Sequence, residues 1–118
     1  MEKAFADARG LIQPLTDLPV NSALLISSKK GAVRGNHYHK SDWHFCYMLE
    51  GEMEYWERPV GSRAKPKIIK VKPGQMLFTP PGVEHAMRFS RKTVWVVLSR
   101  NPRDRASYES DVVRVKLL

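Results

Sequence analysis

Short segments rich in branched and aromatic residues recur along the chain from residue 21 onward. Gly, Pro, Asn and Ser separate most of them, as turns separate strands. After residue 10 there is no amphipathic run long enough for a major helix. The pattern predicts strands over 21–28, 43–50, 52–58, 67–72, 75–79, 85–89, 93–99 and 111–118. Many short strands joined by Gly and Pro turns favour an all-β sandwich or a closed barrel.

The first twenty residues follow a different pattern. Residues 2–9 favour one or two helical turns, whereas residues 10–20 contain two prolines and predict an extended strap with spaced apolar side chains. We therefore predict an N-terminal arm over residues 1–20 and a single β-barrel domain over residues 21–118.

Length and composition agree with one folded domain. The chain has 118 residues, of which 42% are hydrophobic and 27% charged, enough for one core. Its longest apolar runs, Phe45–Leu49 and Val94–Leu98, are far shorter than the roughly 20 residues of a membrane-spanning helix, so we expect no membrane contact.

The single cysteine, Cys46, excludes a disulfide framework, a Cys-rich zinc finger and an iron–sulfur cluster. With no apolar leader at the N-terminus, these features predict a cytoplasmic protein.

The chain carries 20 Lys and Arg against 12 Asp and Glu, a net charge of +8. Such a charge favours anionic partners, among them nucleic acids and phosphorylated metabolites. If residues 52–57 and 66–72 pair as a hairpin, acidic and basic side chains can face each other: Glu52 and Glu54 opposite Lys70 and Lys72. That face would neutralise itself in solvent. We therefore expect a small anionic ligand rather than nucleic acid.

Three of the four histidines, His37, His39 and His44, lie within eight residues. In a strand, His37 and His39 project to the same side, so both imidazoles can bind one ion. His44 begins the next strand, and a short turn can bring it alongside. His85 is distant in the sequence and has to be brought in by the fold.

Glycines and prolines surround these histidines at regular spacing. In GAVRGNHYHKSDWHFCYMLEG, glycines stand six residues before the first histidine and seven after the third. In GQMLFTPPGVEHAMRF, two glycines and two prolines precede His85. These segments resemble the two sequence motifs of the cupin family, and the resemblance covers roughly residues 21–100. It implies an all-β cupin fold, a double-stranded β-helix or jelly-roll barrel, with the motif residues inside.

The resemblance also implies one divalent transition-metal ion in the barrel. His37 and His39 match the first two ligand positions and His85 the last, while His44 stands where most cupins have a glutamate. Four nitrogen donors suit Zn, Ni, Mn, Fe or Cu without choosing among them. We therefore expect all four histidines to be metal ligands, with His44 alternatively free to act as a base.

Two further segments, RGNHYHK and the tail SRNPRDRASYESDVVRV, resemble cupins of surface-polysaccharide biosynthesis, including capsular-polysaccharide epimerases and nucleotide-linked 3,4-ketoisomerases. The resemblance implies an isomerase or epimerase that acts on a keto-sugar or nucleotide-linked sugar. Moving a proton beside a ketone needs a base that titrates near neutrality and a group that stabilises the enolate oxygen. We predict that His44 and Arg34 are the catalytic residues, and that Arg34 holds a phosphate or sugar oxygen of the substrate.

Two other functions remain open at this point. The first is a metal-dependent dioxygenase of a small organic substrate, although the missing glutamate departs from the two-His, one-carboxylate site of many iron oxygenases. The second is a non-catalytic cupin that binds a sugar or metabolite. Bound Zn would argue against oxygenation, whereas bound Fe or Cu would keep it open.

A homodimer is expected from the strap over residues 10–20. Its apolar side chains are too few to form a core, and the family resemblance adds that small cupins commonly pair through such N-terminal arms. Closed two-fold pairs have an isologous interface, which both copies build from the same residues.

Overall fold

Residues 3–118 are described by a computed structural model, in which eleven strands and one short helix follow each other. Their bounds are β1 Phe5–Asp7, β2 Gly10–Ile12, β3 Ser22–Ser28, β4 Val33–His39, β5 His44–Glu50, β6 Met53–Pro59, β7 Lys67–Val71, β8 Met76–Thr79, β9 Val83–Phe89, β10 Thr93–Ser99, α1 Arg105–Asp111 and β11 Val112–Arg114. The helix is too short to cross a membrane, and no other helix occurs among these residues.

Two antiparallel sheets form the barrel. The four-stranded sheet has the order β3-β10-β5-β8, and the five-stranded sheet has the order β11-β4-β9-β6-β7. Strands that are neighbours in a sheet are mostly distant in the sequence, as in a jelly roll, so the predicted all-β jelly-roll fold is confirmed. Apolar side chains from both sheets meet between them, and the Phe89 and Trp95 rings stack with their centroids 4.9 Å apart. Each such buried side chain contributes about 1.5–3 kcal/mol to stability.

Most strand predictions agree with the structure to within two residues, but β4 is an additional strand. Its sequence, VRGNHYH, is polar and contains glycine, so it has little strand preference of its own. Backbone pairing with β9 on one side and β11 on the other holds it in the sheet. The predicted charged hairpin forms in part: β6 pairs with β7 and places Glu54 opposite Lys70, whereas Glu52 and Lys72 lie just outside the two strands.

Two local predictions are wrong. Residues 3–9 form no helical turn; they belong to a hairpin of β1 and β2, whose turn is closed by the Arg9 amide donating to the Asp7 carboxylate at 2.8 Å. Glu2, included in the same prediction, lies outside the described residues. The strand expected over 111–118 is only three residues long and follows α1. Asp104 starts this helix by accepting a hydrogen bond from the Ser107 amide at 3.0 Å, an N-cap that competes with extended structure.

The N-terminal arm covers part of the outer face of the four-stranded sheet. Residues 13–16 are half-buried there, and Leu15 packs beside Phe45 and Tyr47 of β5. Trp43, Phe45 and Phe78 form an aromatic cluster on the same face, and Phe78 remains 43% exposed. The outer face of β5 is therefore only partly covered.

Candidate functional site

A cavity of about 170 Å³ lies between the two sheets, and the side chains of all four histidines line it. His37 and His39 come from β4, His44 from the first position of β5 and His85 from β9. Because β4 pairs with β9, His37 lies directly opposite His85, and their ring centroids are 4.7 Å apart. The fold thus brings the distant fourth histidine to the other three.

A bulge in β4 determines how His37 and His39 align with strand β9. The register with β9 shifts between Gly35 and His37, and Gly35 and Asn36 both have positive φ angles, 81° and 57°. A Cβ atom on Gly35 would lie 2.8 Å from the His85 carbonyl oxygen, so no other residue fits there without a shift of the backbone. The Asn36 side chain accepts backbone hydrogen bonds from Leu117 and Leu118, at 3.1 and 2.9 Å, which ties the C-terminal residues to the bulge.

Asp111, the last residue of α1, holds the ring of His39. Its Oδ2 accepts a hydrogen bond from His39 Nδ1 at 3.0 Å, and both side chains are buried. Its Oδ1 accepts two more from the Ser41 amide and hydroxyl, at 2.7 and 2.8 Å. Burial raises the pKa of the Asp111 carboxyl, but the hydrogen bonds from Ser41 and His39 outweigh it and the net pKa is lowered. An ionised Asp111 therefore fixes the Nδ1–H form of His39 and directs its Nε2 into the cavity.

His44 contacts the inner nitrogen of His39. The two Nε2 atoms are 2.9 Å apart, within hydrogen-bond distance, and His44 Nδ1 lies 2.6 Å from the Ser99 hydroxyl. With Asp111 accepting from His39, one consistent arrangement has His44 Nε2–H donating to His39 and Ser99 donating to His44. The four side chains form one chain of hydrogen bonds from Asp111 to Ser99.

All four imidazoles are neutral at pH 7, because their pKa values are lowered. Burial is the main cause in each case: it lowers the pKa of His37 to about 3, that of His44 to about 2 and that of His85 to about 4. The pKa of His39 is lowered as well, again chiefly by burial, but here the hydrogen bond to Asp111 acts in the opposite direction. His39 is thus the imidazole whose protonated form has a carboxylate partner within hydrogen-bond distance.

Arg34 also lines the cavity, as the second predicted catalytic residue. Its Nε donates to the Ser28 hydroxyl at 2.7 Å and its Nη2 to the Ser27 carbonyl at 3.2 Å. Because Arg34 belongs to β4 and the two serines to β3, its side chain bridges the two sheets along one side of the cavity.

Residues near the C-terminus contribute side chains that the sequence analysis did not assign to the site. Besides Asp111, α1 carries Tyr108, whose ring centroid lies 6.3 Å from that of His37 and 6.1 Å from that of His39. Arg103 stacks on Tyr108, its guanidinium carbon 3.8 Å from the ring centroid. The available signal was the tail motif itself, in which Tyr108 and Asp111 are three residues apart and share one face of a helix.

Comparison with known protein families decides the classification. The cupin-domain family model matches residues 24–99. This chain belongs to the cupin family. The match spans β3 to β10, which include every strand that carries a histidine of the cavity.

Solved structures similar to this cupin include sugar-nucleotide enzymes. A doubly substituted variant of QdtA, a 3,4-ketoisomerase from Thermoanaerobacterium thermosaccharolyticum in complex with TDP, is 27% identical with a TM-score of 0.76, covering 95% of this chain and 82% of that one. A His-to-Asn variant of the same enzyme, in complex with TDP-4-keto-6-deoxyglucose, is 22% identical over 95% of this chain and 82% of that one, with a TM-score of 0.76. The dTDP-4-dehydrorhamnose 3,5-epimerase from Sulfolobus tokodaii is 21% identical with a TM-score of 0.66, covering 88% and 69% of the two chains. A comparison with curated protein sequences gave no match.

The imidazole cluster has the donor set of a metal site. One ligand atom from each of His37, His39 and His85 lies within 4.8 Å of the others, and the same holds for His39, Asp42 and His44. The outer nitrogens of two of these rings are held by oxygen, since His85 Nδ1 lies 3.1 Å from the Val83 carbonyl and His39 Nδ1 bonds Asp111. Metal-binding histidines usually have such partners. The residues therefore fit a divalent ion in type and in the support of their rings.

Proposed function

We propose that this cupin is an isomerase of nucleotide-linked keto-sugars that moves the keto group between adjacent carbons by histidine acid/base chemistry. The observation that carries the proposal is the hydrogen bond from His39 Nδ1 to Asp111, with Nε2 of the same ring facing the cavity. A carboxylate on the outer nitrogen fixes the tautomer of a catalytic imidazole and stabilises its protonated form. The likeness to a 3,4-ketoisomerase at 27% identity supports the same reaction class.

The reaction is a proton transfer between neighbouring carbons. In this proposal the substrate replaces His44 as the partner of His39 Nε2. His39 Nε2 then takes the proton from the carbon next to the ketone, that C–H electron pair forms a carbon–carbon double bond, and the carbonyl π electrons move to the carbonyl oxygen, which gives an enediolate. The neighbouring hydroxyl proton passes to this oxygen, and a proton returns to the former carbonyl carbon. Proton and electrons balance within the substrate, so no oxidant or reductant is consumed.

His44 is the second participant in this proposal, although burial lowers the pKa of its ring to about 2, well below that of the near-neutral base expected from the sequence. Its Nε2 lies 2.9 Å from His39 Nε2. In this proposal it exchanges a proton with the carbon adjacent to the one that His39 deprotonates. Ser99 supports the outer nitrogen of His44, as Asp111 supports that of His39. Two imidazoles on one face of the sugar can thus remove and return the proton.

The substrate class follows from cavity size and charge. About 170 Å³ is smaller than the roughly 300–1,000 Å³ of most ligand pockets, so it suits a sugar ring with the nucleotide outside. A net charge of +8 favours an anionic nucleotide, and Arg34 on the cavity wall has a guanidinium nitrogen, Nη1, beyond the two that bond Ser27 and Ser28. We assign Arg34 to a phosphate or sugar oxygen.

We also propose that the histidine cluster can bind one divalent ion. His37, His39 and His85 would hold it, and it would supply a Lewis acid for the ketone oxygen. Ligation would use the lone pair of His39 Nε2, which the proposed base also needs, so with metal bound His44 would be the imidazole left to move the proton. Metal content by mass spectrometry of the wild type and of the four single His→Ala variants decides between the two arrangements.

We also propose that the protein is a homodimer paired through its N-terminal arm. The hairpin of β1 and β2 is exposed throughout, with Phe5, Leu11 and Ile12 at 56%, 60% and 66% exposure. A two-stranded hairpin alone is at best marginally stable in water. Edge strand β3, with Leu25 70% exposed, offers a second copy both backbone groups and apolar surface for this hairpin.

The proposed reaction is tested by incubating the protein with TDP-4-keto-6-deoxyglucose and identifying the product by NMR. Loss of the 4-keto signal with appearance of a 3-keto sugar supports the isomerase. Oxygen uptake with any product that contains an added oxygen atom would instead support the dioxygenase. Tight binding of the unchanged sugar nucleotide would support the non-catalytic binding protein.

A further inference from the structure

The C-terminal segment brings a cation to the imidazole cluster. Arg103 precedes α1 and lines the cavity, although its side chain is exposed. Its guanidinium lies over the ring of Tyr108, 3.8 Å from the centroid, and that ring in turn approaches His37 and His39 edge-on or tilted. Such a stack occupies the flat face of the guanidinium. Its N–H groups lie in the plane of the guanidinium itself and stay free to bind a ligand.

Arg34 and Arg103 are the two cationic side chains among the described residues that line the cavity. Arg34 already donates to two oxygens of β3. The Arg103 side chain forms no hydrogen bond or ion pair with residues 3–118 and contacts the Tyr108 ring instead, so its N–H donors are available to a ligand. Its positive charge also contributes to the lowered pKa values of His37, His39 and His44, after burial and nearer groups, which places it within electrostatic reach of all three rings.

We propose that Arg103 is a catalytic residue whose guanidinium binds the enediolate oxygens formed when a cavity histidine deprotonates the keto-sugar. This inference rests on the proposed isomerase function and adds the residue that stabilises its negative charge. The enediolate carries two oxygens on adjacent carbons, and a guanidinium presents two parallel N–H groups that match such a pair. The neutral imidazoles of the cavity supply no positive charge before the reaction, so the arginine is the preorganised group for this task.

Tyr108 acts as a positioning residue in this proposal. Its ring lies under the Arg103 guanidinium and has its centroid 6.1 Å from that of His39, and α1 carries it together with Asp111. Base and oxyanion-binding group are therefore carried by one short segment, residues 103–111, which sets the distance between them. Phenylalanine in place of Tyr108 keeps the stack, whereas leucine removes it.

The experiment compares kcat and KM for TDP-4-keto-6-deoxyglucose in the wild type, Arg103→Met, Arg103→Ala and the matched control Arg105→Met. Arg105 lies on the same segment but does not line the cavity. We expect Arg103→Met to lower kcat about 10²–10³-fold, the usual loss for one oxyanion donor, and Arg105→Met to change it less than about threefold. Added guanidinium ion should restore part of the activity of Arg103→Ala, which a merely structural role would not allow.

Tyr108 variants complete the test. Tyr108→Phe should retain most of kcat, and Tyr108→Leu should lose at least about tenfold because the guanidinium is no longer held. Thermal unfolding of each variant shows that it is folded. An active wild type with an Arg103→Met variant within about threefold of its kcat overturns this inference alone, as does a change confined to KM. A wild type without isomerase activity overturns the proposed function and this inference with it.

Discussion

His39 Nε2 and His44 Nε2 lie 2.9 Å apart inside the barrel. The other nitrogen of each ring, Nδ1, is hydrogen-bonded to an oxygen from a different secondary-structure element. Asp111 of α1 holds His39, and Ser99 of β10 holds His44. At this distance a proton taken up by one ring can pass to the other. This pair is the geometric basis of the proposed proton transfer.

Asp111→Asn should impair catalysis more than folding. The amide no longer stabilises a protonated His39 and can bind the wrong tautomer, so we expect kcat for TDP-4-keto-6-deoxyglucose to fall about 10²–10⁴-fold with KM changed little. Steady-state kinetics measures the effect. Ser110→Ala, next to it in α1, is the matched control, because the Ser110 hydroxyl bonds only the Ser107 carbonyl. Equal losses in both variants would show a general effect of α1 rather than a role of the carboxylate.

His44→Ala removes the second ring and leaves His39 Nε2 without its partner. If His44 returns the proton, kcat should fall about 10²-fold or more. His44→Gln keeps a side chain that can donate to His39 but cannot carry a proton, so it should lose as much activity while remaining as stable as the wild type. Full activity in His44→Gln would remove His44 from the reaction.

Acid should destabilise the fold through its neutral histidines. The folded-state pKa values of His37, His44 and His85 lie at about 3, 2 and 4, below the usual 6.5. The unfolded chain therefore binds more protons below pH 6.5, and the free energy of unfolding falls as pH drops from there toward these values. Each group that stays neutral contributes a slope of up to about 1.4 kcal/mol per pH unit. Urea unfolding between pH 7.5 and 5 measures this, and a flat profile would contradict it.

The exposed hairpin should control the oligomeric state. Light scattering of the wild type at tens of micromolar should give about twice the 13.6 kDa of one chain. The double variant Leu11→Asp with Ile12→Asp should give a monomer, since it places one charge on each face of the hairpin. Val60→Asp, at an exposed apolar position outside the arm, should remain dimeric. A monomeric wild type would refute the homodimer.

The strands and the histidines could be predicted because both depend on local sequence. Alternating apolar runs gave β5, β6 and β10 to within a residue, and motif spacing singled out His37, His39 and His85. Asp111 was not predicted as a site residue, because its partner, His39, is 72 positions away in the sequence. The tail motif places Asp111 three residues after Tyr108 but does not show the contact with His39, and the apolar residues that follow Asp111 favoured a strand.

The arm and the C-terminal segment were difficult for a related reason. Hairpin β1–β2 depends on one turn, in which Asp7 accepts from Arg9, and its neighbouring sequence would also suit a helical turn. Arg103 has no motif of its own; its place at the cavity depends on Tyr108 and on the docking of α1 against the β4–β5 loop. Such contacts between distant segments exist only once the barrel has formed.

Solvent deuterium exchange tests the role of His39 most directly. The protein is incubated with TDP-4-keto-6-deoxyglucose in D₂O, and deuterium at the carbons beside the keto group is followed by NMR. The wild type should incorporate deuterium at the reacting carbon. His39→Asn should incorporate none above background while still binding TDP, and His37→Asn, which changes a ring without a carboxylate partner, should retain measurable exchange. Exchange in His39→Asn at the wild-type rate would contradict the assignment of His39 as the base.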